Sequence, residues 1–333
     1  MNYSIIIPHK NSTKQLQRCL DSIPFRDDLE VIIVDDNSDP EVVDFDNFPG
    51  KERPNTIIIF SKEGGRQGRA RNIALPHARG KWLIFADADD YFTLCFNDVL
   101  NDYADSDADI VFLNICSAMD DTYLPSNRSN YWNRINDGYF NKDQNYYSLL
   151  LRYNYGGPWG KFVKKALVDE HQLKFEEFLP HHDDTRFAYL TGHYARSIKV
   201  DKRAVYCLTE SSTSISYTMT DEKYLARMHV LGEQDRFIKS IGLDLDCTSD
   251  FMLESLMEIR NAGRMDLYER CIEALEKEGM DTEHVRQEIA KREARKAQSL
   301  APPHTVTSLS TFRKAYCDSL VGPMALNDTI NTQ

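Results

Sequence analysis

The segment at residues 81–92 constrains the fold and chemistry of this chain most strongly, because an apolar run ends there in three aspartates within four positions. Carboxylates at the end of a buried strand are costly unless a cation balances them, and open α/β sheets bind ligands at that edge. Asp87 and Asp89 are two positions apart, so on an extended segment both face one side and can share a divalent cation. A helix cap explains only one of the three acids. The segment therefore predicts a ligand or metal site at the carboxyl end of a strand.

The surrounding pattern predicts an α/β fold. β-branched runs at residues 3–7, 29–34 and 56–60 predict buried strands, and stretches with helical spacing separate them. Because each strand is almost continuously apolar, we expect a mostly parallel sheet covered by helices on both faces. We predict that this sheet domain occupies residues 1–215. A mainly helical extension is predicted at residues 216–333, where apolar residues recur every three to four positions.

Three local segments carry their own predictions. Residues 64–69 predict a flexible loop, followed by a helix from about residue 70 to residue 77. Residues 117–147 are rich in Asn, Asp, Ser and Tyr and predict a long excursion with at most one amphipathic element. Long loops in compact domains tend to be functional. Residues 197–208 predict a final pair of strands.

The composition argues against several classes of function. A net charge of −12 disfavours nucleic acid as the main partner, because binding phosphates requires a clustered basic face. The seven cysteines are scattered without a Cys-x-x-Cys pair, which favours reduced thiols in a cytoplasmic protein. We expect neither a signal peptide nor a membrane-spanning segment. The first strand is not followed by Gly-x-Gly-x-x-Gly, and no Walker A motif occurs, which disfavours dinucleotide dehydrogenases and NTPases.

Four loops that follow predicted strands carry complementary chemical groups. They lie at residues 8–11, 35–38, 64–72 and 87–90 and contain aspartates, arginines and flexible backbone. A nucleoside base needs a carboxylate or backbone acceptor for its N–H group, and a diphosphate needs a metal ion plus arginine or backbone donors. The loops supply all of these groups. The sequence therefore predicts a nucleotide site at one edge of the sheet.

These motifs resemble, in order and spacing, those of the family 2 glycosyltransferases of GT-A fold. The resemblance covers roughly residues 1–210 and is closest to bacterial members that build surface polysaccharide. It implies a Rossmann-like, mostly parallel sheet flanked by helices. The matching stretches are SIIIP at residues 4–8, VDDNS at 34–38, ARN at 70–72, FADADD at 85–90, WGKF at 159–162 and HDD at 182–184.

The resemblance implies roles for several residues around a UDP-sugar donor. Asp36 is expected to accept a hydrogen bond from the uracil N–H, and Pro8 to place backbone beside the base. Arg71, with Gly68 nearby, matches the loop that closes over the nucleotide. The position after Pro8 is usually aromatic in this family and is His9 here. This histidine either stacks on the base or is a hydrogen-bonded polar residue of the core.

The same resemblance implies a metal centre and a catalytic base. Asp89 matches the main ligand of a divalent metal, Mn²⁺ or Mg²⁺, and Asp87 helps through the ribose or metal-bound water. Asp184 matches the base of an inverting transfer. A single displacement needs one carboxylate to take the proton from the acceptor hydroxyl, whereas a hydrolase needs a pair. Asp183 is the weaker candidate, and one of these adjacent acids can instead cap the following helix.

Aromatic and basic residues suggest where an acceptor contacts the protein. Trp159 either forms the floor under a donor or acceptor hexose or fills the core. The excursion is either an acceptor surface or a solvated loop. Its aromatic residues are Tyr123, Tyr131, Trp132, Tyr139, Tyr146 and Tyr147. A basic run near the C-terminus suggests docking on anionic lipid, pairing of C-terminal helices in a homo-oligomer, or a solvated helix face. Its members are Arg286, Lys291, Arg292, Arg295 and Lys296.

Together these inferences predict an inverting, metal-dependent glycosyltransferase of surface polysaccharide synthesis, such as capsule or lipopolysaccharide. It moves a hexose or N-acetylhexosamine from a UDP-sugar to a glycan or lipid-linked acceptor. We expect it in the cytoplasm, with peripheral contact at the inner face of the plasma membrane. One alternative is a non-catalytic nucleotide-sugar-binding or scaffold subunit of a polysaccharide assembly complex. A sugar nucleotidyltransferase is the other, although residues 8–11 lack the Gly- and Arg-rich loop with a lysine that it requires.

Overall fold

A central eight-stranded sheet organises the structure, a computed structural model that describes residues 1–211, 219–245 and 250–299. The strands are β1 (Tyr3–His9), β2 (Leu29–Asp35), β3 (Thr56–Phe60), β4 (Trp82–Phe85), β5 (Tyr91–Phe92), β6 (Ile110–Met119), β7 (Lys161–Lys164) and β8 (Ile198–Glu210). The helices within the sheet region are α1 (Thr13–Asp21), α2 (Arg66–Ala74), α3 (Phe96–Tyr103), α4 (Asn130–Asn141), α5 (Gln144–Tyr153), α6 (Lys165–Glu170) and α7 (Thr185–Tyr194). Four helices follow: α8 (Asp221–Ser240), α9 (Asp250–Asn261), α10 (Met265–Lys277) and α11 (Thr282–Ser299).

The strand order places the ends of the predicted motifs side by side. The order is β3-β2-β1-β4-β7-β6-β8-β5, and β1 pairs in parallel with both β2 and β4. In this register His9 lies beside Asp35. Strand β7 is antiparallel to both of its neighbours, and β5 is antiparallel to β8 at the edge. The carboxyl ends of β1, β2 and β4 therefore meet at one edge, where parallel sheets of this class bind ligands.

Helices cover both faces of the sheet, as the continuous apolar strands predict. Side chains of β1 alternate between two buried clusters. Ile5 and Ile7 pack in one cluster with Leu16 of α1, whereas Ile6 packs in the other with Ala70 of α2. Burying one such side chain contributes about 1.5–3 kcal/mol. The prediction of an α/β fold with a mostly parallel sheet and C-terminal helices is confirmed.

The predicted excursion at residues 117–147 contains more regular structure than its sequence indicated. Strand β6 continues to Met119, and the two helices α4 and α5 follow it. The Asp143 side chain accepts hydrogen bonds from the N–H groups of Asn145 (3.0 Å) and Tyr146 (3.2 Å), which caps α5. The Asn133 amide pairs with both backbone groups of Ile115 and ties α4 to the sheet. These contacts are tertiary or lie at a helix end, so a search for apolar periodicity misses them.

The predicted strand pair at residues 197–208 is a single strand. Strand β8 runs parallel to β6 along its length and antiparallel to β5. The register with β6 shifts around Asn114, and the Arg203 N–H donates to the Asp201 carboxylate (2.9 Å) at this point. The polar residues here therefore form an irregularity within one strand instead of a turn between two strands.

The chain divides into two compact units, Met1–Thr282 and Glu283–Gln333. The first unit contains the sheet and helices α8 to α10. The described part of the second unit belongs to α11, where Lys291 pairs with Glu288 at 2.6 Å. None of the helices described in the structure is both long enough and apolar enough to cross a membrane. The domain boundary predicted at residue 215 remains a prediction, and the side chain of Lys296 and residues 300–333 lie outside the described part.

Candidate active site

A cleft of about 1960 Å³ opens at the carboxyl edge of the sheet. Most of the residues predicted to bind the donor, the metal or the acceptor line it: Pro8, His9, Asp36, Asp87, Asp89, Trp159 and Asp184. Side chains of α4, α8 and α9 also line the cleft. Gly68 and Arg71 lie behind its wall. The structure therefore brings together residues from Pro8 to Glu254, which span about three quarters of the chain.

Asp36 fixes the start of helix α2 from the end of β2. Its buried carboxylate accepts hydrogen bonds from the N–H groups of Gly65 (2.7 Å) and Arg66 (3.0 Å). An acid that satisfies the first N–H groups of a helix stabilises its N-terminus. This explains why α2 begins at Arg66 and not near residue 70, as predicted. A carboxylate has about four acceptor positions, so Asp36 retains capacity for a further donor in the cleft.

His9 is a buried, fully hydrogen-bonded residue. Its Nδ1 lies 2.7 Å from the Asp35 carboxylate, and its Nε2 accepts the backbone N–H of Ser12 at 3.1 Å. The ring contacts Phe48 edge-on, with 5.1 Å between the centroids. These bonds require the neutral tautomer with hydrogen on Nδ1. Of the two predicted alternatives, the structure shows the hydrogen-bonded core residue, and contact with a base remains a prediction.

The third acid of the aspartate segment holds the other two in place. Asp90 is buried and accepts hydrogen bonds from the Tyr206 hydroxyl (2.9 Å) and the Thr209 N–H (2.7 Å) of β8. The Tyr206 oxygen also accepts the N–H of Asp87 at 2.8 Å. Burial, followed by the charges of Asp89 and Asp87, raises the pKa of Asp90 well above its ordinary value. Sequence reasoning missed this anchoring role because the partners lie more than a hundred residues away.

Asp89 faces the cleft and is the most available acid of this segment. No hydrogen bond to its carboxylate occurs among the residues that the structure describes. Partial exclusion of water inside the cleft, together with the charge of Asp87, raises the pKa of Asp89 to about 6. The described ranges contain no cluster of three or more His, Cys, Asp or Glu side chains placed to hold a metal by themselves. A metal here therefore requires further oxygen ligands from substrate or water.

Arg71 is a buried bridge between two halves of the site. It projects from α2, and its Nη2 lies 2.7 Å from Asp87 and its Nη1 3.1 Å from Asp183. Its guanidinium also lies 5.2 Å from the centre of the Phe175 ring. Burial alone lowers the pKa of Arg71, but Asp87, Asp183 and Asp184 raise it above its ordinary value. The predicted nucleotide-covering loop is thus a helix here, and Arg71 links the aspartate segment to the acidic pair.

Gly68 gives the acidic pair room to approach α2. A Cβ atom at this position would lie 2.0 Å from the Glu176 carbonyl oxygen and 3.1 Å from an Asp183 carboxylate oxygen. The Glu176 N–H in turn donates to the Asp183 carbonyl at 3.0 Å. The structure therefore supports a packing role for Gly68, and its predicted contact with the nucleotide remains a prediction.

The adjacent acids Asp183 and Asp184 have different environments. Asp183 is bonded to Arg71, whereas no hydrogen bond from another residue to the Asp184 carboxylate occurs in the described part of the chain. Asp184 occupies the N-cap position of α7, but its side chain does not cap the helix. Burial and the charge of Asp183 raise the pKa of Asp184 to about 7, although Arg71 opposes this. An unbonded carboxylate with a pKa near neutrality suits a general base.

Trp159 lies largely behind the surface of the cleft. Only 6% of it is exposed, and a Cβ on Gly157 would lie 2.7 Å from its ring. Trp132 of α4 contacts Trp159 edge-to-face, with 4.7 Å between the ring centroids. Trp132 is half-buried and also lines the cleft. Tyr131 is the member of the predicted tyrosine set that reaches the cleft wall. The geometry favours core packing for Trp159, and its predicted contact with a sugar remains a prediction.

Comparison with known proteins relates the first half of this chain to a family. Residues 4–165, just under half of the chain, match the model for glycosyl transferase family 2. This part of the chain has the sequence pattern of glycosyl transferase family 2. The glycosyltransferase EpsH of Bacillus subtilis is 24% identical over 209 residues, which cover 61% of this chain and 59% of EpsH. The predicted family is confirmed.

Two solved structures share the fold. Staphylococcus aureus TarS 1–349 in complex with UDP-GlcNAc superposes with a TM-score of 0.56 and 20% identity, covering 82% of this chain and 79% of that one. The mannosyltransferase PcManGT of Pyrobaculum calidifontis with GDP-Man and Mn²⁺ gives a TM-score of 0.50 and 18% identity, covering 88% and 79%. The predicted GT-A fold is confirmed.

Gly68→Ala tests the packing between α2 and the acidic segment. In an open helix this change is favourable by about 1 kcal/mol, whereas overpacking costs about 1–3 kcal/mol. We expect the free energy of unfolding in urea to fall by about 1–3 kcal/mol because Glu176 must move. Gly156→Ala is the control, since its Cβ meets only Thr185 Oγ1 at 3.8 Å. Unchanged or increased stability of Gly68→Ala would contradict the close approach.

Proposed function

We propose that this protein is an inverting, metal-dependent glycosyltransferase. It transfers a hexose or N-acetylhexosamine from a UDP-sugar to a hydroxyl of a glycan or lipid-linked acceptor in surface polysaccharide synthesis. The observation that carries this proposal is the position of Asp36, Asp89 and the unbonded Asp184 around one cleft in a family 2 domain. The same observation weighs against a non-catalytic scaffold, which has no need for a free acid of raised pKa.

The donor half of the cleft suits a nucleoside diphosphate. Asp36 keeps acceptor capacity for the uracil N–H at the edge where β1 and β2 end. The backbone of Pro8 lies at the same edge, next to the buried His9. The relative TarS was crystallised with UDP-GlcNAc, which supports a uridine donor.

A divalent metal, Mn²⁺ or Mg²⁺, fits the acids at the end of β4. Asp89 is the main candidate ligand and Asp87, already paired with Arg71, is the second. Few protein carboxylates suffice for such ions, because phosphate oxygens and water complete the shell. When bound, the metal neutralises the charge that develops on the leaving diphosphate. The Mn²⁺ in the PcManGT structure supports this assignment.

Asp184 serves as the base in this proposal. It takes the proton from the acceptor hydroxyl as the hydroxyl oxygen bonds to the anomeric carbon and the bond to the diphosphate oxygen breaks. One displacement of this kind inverts the anomeric configuration, so an α-linked donor gives a β-linked product. Asp183 does not compete for this role because it is bonded to Arg71.

Three further assignments accompany this proposal. In the family that the sequence resembles, acceptors are often lipid-linked. We therefore assign the protein to the cytoplasm, with peripheral contact at the inner membrane leaflet. The basic face of α11 is the candidate lipid contact, and pairing of C-terminal helices between subunits is the alternative for the same surface. Helix α11 also carries acids such as Glu288, which pairs with Lys291, so its charge is mixed.

Two substitutions separate donor binding from chemistry. With UDP-, GDP- and dTDP-sugars, we expect one UDP-sugar to raise the melting temperature only when Mn²⁺ is present. Asp89→Ala should abolish that shift. Asp184→Asn should keep the shift while UDP release falls by about 100-fold or more, because a general base contributes about 10²–10⁴-fold. Asp137→Asn, another acid on the cleft wall, is the control and should change neither measurement. Failure of every nucleotide sugar to bind would refute the proposal.

The pH dependence of turnover tests Asp184 separately. Burial raises the pKa of Asp184 to about 7, and only its deprotonated form accepts a proton. We therefore expect kcat/KM to rise about tenfold per pH unit below pH 7 and to level off above it, at saturating metal. A rate that does not change between pH 5.5 and pH 8 would exclude this carboxyl as the base.

A further inference from the structure

Arg227 of helix α8 joins three separate parts of the chain beside the candidate base. Its Nε donates to His182 Nε2 at 2.9 Å, and its Nη2 lies 2.7 Å from His181 Nε2. Its Nη1 donates to the hydroxyl of Ser255, which is buried in α9 and donates to the Phe251 carbonyl at 2.7 Å. One guanidinium thus connects α8 and α9 to the two residues that precede the acidic pair.

These contacts define the state of both histidines. An Nε2 atom that accepts a hydrogen bond from arginine carries no hydrogen, so both rings are neutral with hydrogen on Nδ1. His182 Nδ1 then donates to the Thr185 hydroxyl at 3.2 Å, at the first residue of α7. Burial and the Arg227 charge lower the pKa of His181 to about 4, and burial, His181 and Arg227 lower that of His182 well below its ordinary value.

The partners of Arg227 are unusual for a largely enclosed cation. No carboxylate lies within ion-pair distance of its guanidinium among the described residues, although such arginines are normally paired with acids. Its bonds to His181, His182 and Ser255 all go to neutral acceptors. These bonds use three of the five N–H donors of the guanidinium.

The backbone at His182 needs this support. Its φ is +61°, in the left-handed region that costs a residue other than glycine about 1 kcal/mol or more. The two side-chain bonds of His182, to Arg227 and Thr185, hold the residue in that conformation. Asp183 is fixed from another direction by Arg71. The carboxylate of Asp184 follows directly and is left without a bond of its own in the described structure.

We propose that Arg227 is a positioning residue for the candidate base. Its bonds to His181 and His182 fix the backbone turn that directs Asp184 into the cleft, so helices α8 and α9 take part in forming the active site. This inference rests on the proposed role of Asp184. It also gives the helices after the sheet a function that their amphipathic sequence does not reveal.

The test compares Arg227→Gln and Arg227→Lys with a control on the same helix. Arg236→Gln is the control, because it removes an ion pair of α8 with Glu278 (2.5 Å) that lies outside the cleft lining. For each variant we would measure the Kd of the UDP-sugar that binds wild type with Mn²⁺, the melting temperature, and kcat per UDP-binding site. Counting sites removes the effect of any unfolded protein.

We expect Arg227→Gln to bind the UDP-sugar within about twofold of wild type while kcat per site falls by about 100-fold, since misplacing a catalytic group by about 1 Å can have this effect. Arg227→Lys should recover part of the loss, because an ammonium can reach one histidine but lacks the planar fork for both. Arg236→Gln should keep kcat per site whatever its melting temperature. An unchanged kcat per site in Arg227→Gln, or a weakened donor Kd, would overturn the positioning role.

Nitrogen-15 NMR of the histidine rings tests the contact without activity. Wild type should show protonated Nδ1 and unprotonated Nε2 for His181 and His182, and Arg227→Gln should move hydrogen to Nε2 on both. Unchanged ring signals in Arg227→Gln would overturn the contact itself. If wild type binds no nucleotide sugar, the proposed function fails, whereas the NMR result still decides whether Arg227 holds these rings.

Discussion

Arg71 places one buried guanidinium between carboxylates from distant parts of the chain. Asp87 follows β4 on the side of the proposed metal site, and Asp183 precedes α7 on the side of the candidate base. Removing one partner of a buried ion pair costs about 3–5 kcal/mol, because the remaining charge stays out of water. The small residue Gly68 allows this approach, since any larger side chain meets Glu176. A single cation therefore links the segments that carry the proposed metal site and the candidate base.

Asp89 and Asp184 are not paired with a cation in the same way. The pKa of Asp89 is raised to about 6 and that of Asp184 to about 7, in both cases by burial and by a neighbouring carboxylate. Crowded carboxylates of this kind favour a cationic ligand on one member and proton transfer by another. The proposed metal on Asp89 and the proposed proton acceptor at Asp184 agree with these surroundings. Asp90 accepts a hydrogen bond from the Tyr206 hydroxyl and holds the aspartate segment in place.

Local sequence patterns predicted the strands and the acids at their ends. Apolar β-branched runs define β1, β2 and β3 to within two residues at either end, and parallel pairing then brings Asp36 and Asp89 to one edge. Groups that depend on distant partners were not predictable. The resemblance matched Arg71 to a loop over the nucleotide, whereas the structure places it within α2, paired with Asp87 and Asp183. Arg227 carries no motif, and its importance appears only when α8 packs beside residues 181–184.

A crystal structure with UDP and Mn²⁺ would show whether one cleft joins a uridine site, a metal site and a free base. We expect the uracil N–H to donate a hydrogen bond to Asp36, and Mn²⁺ to bind both Asp89 and the diphosphate. We also expect Asp184 to accept no hydrogen bond from another residue and to face the side of the β-phosphate on which the donor carries its sugar. UDP bound away from Asp36, or an Asp184 that turns to cap α7 in the complex, would contradict these expectations.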